Sequence, residues 1–144
     1  MRLEDETGLA VRLPSRSWTS PAVREVLRAA GRVAAELGGQ LQIGDAGPEV
    51  RGAQHRTHKS HRWGRDVDLA YTLERYPTDP EVPVDGRLVD VIESIAPFVE
   101  VVYASPARMP ALEGHGFDVA EWPGHEKHLH LRLRADLASE RAAT

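Results

Sequence analysis

Hydrophobic and polar positions alternate along three short stretches of the chain and recur at helical spacing along two others. Gly8 to Leu13 sets Leu9, Val11 and Leu13 against Ala10 and Arg12, the period-2 pattern of a half-buried strand that Pro14 ends. From Ser20 the period lengthens. Val23, Val26, Leu27, Ala30, Val33, Ala34 and Leu37 follow helical spacing, with Ser20 as N-cap, Pro21 at the first helical position and Gly38-Gly39 as the stop. Leu41-Gln42-Ile43 reads as a short strand. Asp66 to Tyr71 alternates again, which puts Asp66 and Asp68 on one face and Val67, Leu69 and Tyr71 on the other. Leu88, Val91, Ile92 and Ile95 predict a second helix over Asp85 to Ile95, closed by Pro97, and Phe98 to Ala104 suits a buried strand. In the last alternating stretch, Lys127 to Leu133, Leu129, Leu131 and Leu133 face away from His128, His130 and Arg132. The polar, Gly-punctuated run from Gly44 to Trp63 and the Pro- and Gly-broken run from Pro106 to Gly116 read as irregular. These elements do not alternate as βαβ units. They predict one α+β domain over 1–144, with a small, mainly antiparallel sheet and two or three helices.

Composition narrows the chemistry. A chain of 144 residues with 41% hydrophobic and 28% charged positions has the make-up of a single globular domain. The net charge of −4 argues against a protein that coats nucleic acid. With no cysteine, a disulfide framework, a thiol nucleophile and a cysteine metal site are all excluded, so any metal must be held by His, Asp or Glu. No apolar run reaches the length of a signal peptide or a membrane span, so the expectation is a soluble chain with no membrane partner and, as given, no export address.

The seven histidines cluster. His55, His58 and His61 fall in one window, His125, His128 and His130 in another, and His115 stands apart. His55 and His115 read as ordinary surface or core residues. On a strand, His128 and His130 point the same way with Cα atoms roughly 6.5 Å apart, so one can bind a metal while the other reaches a water on it. A loop His61, a strand Asp68 and a strand His make a two-nitrogen, one-oxygen set that suits zinc and leaves a fourth position open for catalysis. A competing reading takes Arg51, Arg56, His58, Lys59, Arg62 and Arg65 as a nucleic-acid loop. Against it, Trp63 is the only interleaved aromatic, and Asp66 and Asp68 would repel phosphate.

His58-Lys59-Ser60-His61-Arg62-Trp63-Gly64-Arg65-Asp66-Val67-Asp68, followed by Gly124-His125-Glu126-Lys127-His128-Leu129-His130-Leu131-Arg132-Leu133, resembles the signature of the penicillin-insensitive murein endopeptidases. These belong to a wider group of zinc peptidases with lysostaphin, the D-alanyl-D-alanine peptidases and the hedgehog domain. The group's pattern is His, six residues, Asp, and later His-x-His, as in His61 to Asp68 and His128-Leu129-His130. Ile43-Gly44-Asp45 is similar as well, so the resemblance spans roughly residues 40 to 133.

Position by position, the resemblance implies that His61, Asp68 and His130 bind Zn2+. It makes His128 the catalytic imidazole, with His58 and His125 in support. The implied activity is that of a zinc metallopeptidase cutting a peptide cross-link of peptidoglycan, with D,D-carboxypeptidase action left open and a periplasmic or cell-wall site. Because the chain lacks a His-Glu-x-x-His helix, His128 is expected to act as general base or to stabilise the oxyanion. The alternative within the same group is a zinc-bearing binding module without catalysis. Oligomeric state is not legible.

Overall fold

The longest amphipathic stretch folds as its pattern predicts. In the computed structural model, which describes residues 5–12, 19–46 and 64–137, helix α1 (Pro21–Glu36) starts behind Ser20, whose Oγ accepts from the Val23 N–H at 3.1 Å. That bond satisfies one of the amides left unpaired at a helix start. Asp85 caps α2 (Gly86–Ser94) in the same way, accepting from the Arg87 N–H at 2.9 Å. The two helices contact each other, and they bury Val23, Leu27 and Ala30 of one and Leu88, Val91 and Ile92 of the other in the core. A single turn, α3 (Met109–Leu112), lies in the stretch read as irregular. Among the described residues no helix is long and apolar enough to cross a membrane.

Six strands form one sheet: β1 (Leu9–Val11), β2 (Leu41–Ile43), β3 (Asp66–Leu69), β4 (Val99–Ala104), β5 (Val119–Glu121) and β6 (Leu129–Leu133), in the spatial order β1-β2-β3-β6-β4-β5. The fold is α+β, but the sheet is mixed rather than mainly antiparallel. Its centre is antiparallel, whereas β1 and β2 at one edge and β4 and β5 at the other run parallel. The connections explain this. The chain returns through α1 between β1 and β2, and through α3 between β4 and β5, so each second strand begins at the same end as the first. The three-residue β5 is too short to show a period, and its pairing of Val102 with Val119 gives it its place. The run from Gly44 to Trp63 that reads as a surface loop lies outside the described residues from position 47 onward.

Alternate residues of the strands enter one core. Leu9, Leu41, Ile43, Val67, Leu69, Val102, Leu129, Leu131 and Leu133 join the buried faces of α1 and α2 in a single cluster. Backbones approach closely where β1 meets α1. A Cβ on Gly8, whose φ is +76°, would lie 1.6 Å from the Gly31 carbonyl oxygen, so only glycine fits there.

Candidate functional site

The register of the two central strands builds the site. Pairing β3 with β6 sets Val67 opposite Leu131 and Leu69 opposite Leu129 on the core side, which leaves Asp66 opposite Arg132 and Asp68 opposite His130 on the other. The pleat therefore gathers two carboxylates, an imidazole and a guanidinium on one face. That face is not open to solvent: Asp66, Asp68 and His130 are each 1% exposed. His128 lies one residue before the start of β6 and is half-buried.

The side chains converge on Asp68. His130 places Nδ1 3.5 Å from Asp68 Oδ1, and His128 places Nε2 3.7 Å from Asp68 Oδ2. The far side of the His130 ring is engaged by Asp66, whose Oδ1 lies 2.7 Å from Nε2 and also accepts from the Arg132 Nε–H at 2.8 Å. Burial by itself would raise the Asp66 carboxyl. The hydrogen bonds and positive charges of His130 and Arg132 outweigh it and hold that carboxyl below the usual range. Burial likewise works to lower His130, and the hydrogen bonds and charges of the two aspartates reverse it, so its pKa is held above the ordinary histidine value.

The spacing of two donors, His130 Nδ1 and Asp68 Oδ1, is one that a single tetrahedral ion could span. A separation of 3.5 Å is long for a strong hydrogen bond. It is close to the about 3.3 Å expected between two ligands of a tetrahedral ion with bonds of about 2.0–2.1 Å. An imidazole nitrogen beside a carboxylate oxygen is also a ligand pair that zinc accepts. The third expected ligand, His61, lies outside the described residues, as do His55 and His58. Among the described residues alone, no group of three His, Asp or Glu side chains could hold a metal ion.

His125 joins this cluster as a buried ring. It sits 5.2 Å from His128, 6.2 Å from His130 and 4.9 Å from Trp122, centroid to centroid. Neither of its ring nitrogens has a hydrogen-bond partner among the described residues. Burial, followed by the nearby His128 and His130, pushes its pKa down, so it is a neutral imidazole near neutral pH. His115, read as ordinary, pairs with Glu93 at the surface. Arg65, the described member of the basic run, pairs with Glu100 at 3.1 Å.

Other residues position the site without any local signal in the sequence. The Tyr71 hydroxyl donates to the His125 carbonyl at 2.6 Å and accepts from the Ser105 N–H at 3.2 Å. The buried Arg108 lies over the Tyr71 ring at 4.0 Å and donates to the carbonyls of Glu126, Asp79 and Pro80. Together they clamp the turn that carries His125 and leads to His128. Tyr76 stacks beside His128 with ring centroids 6.0 Å apart. Gly44 makes room for it, because a Cβ there would lie 2.2 Å from the Tyr76 ring. Asp66 did leave a trace, since the strand pattern puts it on the same face as Asp68. Nothing local assigns it to His130, which is 64 positions away.

No protein-family model matches this chain, and no curated protein matches it.

Proposed function

We propose that the protein is a zinc-dependent peptidase that hydrolyses a peptide cross-link of peptidoglycan. The observation that carries this reading is the convergence of His128 and His130 on the buried carboxylate of Asp68, with His130 offering Nδ1 to it. His61, Asp68 and His130 would hold the ion, and the spacing of His61 and Asp68 in the chain supports the same set. Zinc bound there would supply the Lewis acid that activates water and polarises the scissile carbonyl.

The chain's own residues do the rest. His128 is the catalytic imidazole: it is half-buried, flanked by the Tyr76 ring and close enough to Asp68 to share its site. It can take a proton from the attacking water and return one to the leaving amine, the ordinary work of a positioned histidine. His125, itself buried, packs edge-on against His128 with ring centroids 5.2 Å apart and supports that ring. The substrate class rests on the resemblance of the two histidine clusters to murein endopeptidases.

Purified protein should carry about one zinc per chain and should release peptide-cleaved fragments from cell-wall peptidoglycan, identified by mass spectrometry. Zinc binding without new amino termini would make it a binding module instead. Absence of zinc from the wild type, unchanged by Asp68→Ala, would overturn the reading.

A further inference from the structure

The ring of His130 is held from behind by a residue that cannot itself reach a metal shared with Asp68. Asp66 lies two positions before Asp68 in β3, and its Oδ1 meets the nitrogen of His130 that points away from Asp68. The same oxygen already accepts the Arg132 Nε–H at 2.8 Å. It therefore presents lone pairs to the ring, and the contact at 2.7 Å requires the hydrogen to sit on Nε2. Cross-strand register makes this arrangement rigid, because Asp66 pairs with Arg132 and Asp68 with His130 across β3 and β6. Tyr103 completes the setting, its hydroxyl 3.4 Å from an Arg132 nitrogen and its ring edge-on to His130.

We infer that Asp66, itself oriented by Arg132, is the positioning residue that sets the tautomer of His130, holding the ring by Nε2–H so that Nδ1 turns its lone pair to the site it shares with Asp68. The consequence for metal binding rests on the zinc reading above, whereas the tautomer does not. A neutral histidine in water favours neither site strongly enough to guarantee a ligand at Nδ1. A carboxylate behind the ring removes that choice and raises the basicity of the opposite nitrogen, and loss of such a partner typically costs 10–100-fold in metal affinity.

Two measurements on the full chain test this. Long-range nitrogen–proton correlation spectra of metal-free wild type, recorded above the titration of the ring, should show His130 as the Nε2–H tautomer. The Asp66→Asn variant should lose that exclusive signature. Chelator competition with zinc should show about 10–100-fold weaker binding by Asp66→Asn. Arg132→Lys, which keeps the charge but not the Nε–H, should show a smaller loss in the same direction. A purely structural salt bridge would lower the melting temperature of these variants and leave both the spectrum and the zinc affinity of the folded fraction unchanged, which would overturn the inference. An Nδ1–H tautomer in the wild type would overturn it too, whether or not Asp66→Asn folds. Failure of wild type to bind zinc would count against the peptidase reading alone, since the metal-free spectrum still decides the tautomer.

Discussion

His130 and Leu131 are neighbours in β6, and they are 1% and 0% exposed. Leu131 is buried among Val67, Leu69 and the helix faces, where contact is non-directional and each apolar group gains simply by leaving water. His130 is buried just as deeply on the opposite face, but each nitrogen is aimed at a carboxylate, and Asp66 in turn needs Arg132. A buried polar group without partners costs far more than its burial returns. The two faces of the same two strands thus obey different rules: one tolerates changes that preserve volume, and the other tolerates only changes that preserve hydrogen-bond direction.

The sharpest way to separate the faces is to remove function without removing stability. His128→Ala should lower turnover on peptidoglycan by about 10²–10⁴-fold while zinc content and melting temperature stay near those of the wild type. His130→Ala should instead release zinc, read by metal analysis after mild dialysis. Zinc lost from His128→Ala and retained by His130→Ala would reverse the roles assigned to them.

On the apolar face the effects should run the other way. Leu131→Ala should cost about 2–5 kcal/mol in urea denaturation, the range for deleting a buried leucine, with zinc per folded chain unaltered. A loss below about 1 kcal/mol would mean that the core relaxes around the gap.

Gly44→Ala probes the boundary between the faces. The added methyl would collide with the Tyr76 ring that stacks beside His128, so stability should fall by about 1–3 kcal/mol and turnover with it. In the double variant with Tyr76→Ala the stability losses should be less than additive. Full additivity would show that the collision is relieved elsewhere.

The smallest effect is expected at the cap of α2. Asp85 accepts from the Arg87 amide and side chain and from the Leu73 amide. Its bond to the Arg87 side chain, more than any other contact, holds its carboxyl below the ordinary value of 3.8. Asp85→Ala should cost about 1 kcal/mol by thermal or chemical unfolding at neutral pH. Because the folded value is the lower one, the stabilisation is complete above the unfolded value and disappears as pH falls through the folded one. The wild type and Asp85→Ala should therefore converge in stability at the acid end. A difference that persisted there would show that charge is not what the cap contributes.

Local patterns in the sequence determined the helices, their caps, most strands and the separation of apolar from polar residues along β3 and β6. These depend on periodicity and on side chains bonding to amides within a turn, both set by near neighbours. The clustering of histidines was equally visible, and so was the shared face of Asp66 and Asp68. What only the tertiary structure decided is which of these residues meet. The parallel edges follow from the course of the connections, and β5 exists because β4 offers it an edge. The bond from Asp66 to His130, the clamp of Tyr71 and Arg108 on the turn at His125, and the fit of Tyr76 over Gly44 all join residues far apart in the chain. Their register is set by the packing of the apolar face. A slip of one residue there would exchange the two faces, so the leucines of β6 determine where its histidines point.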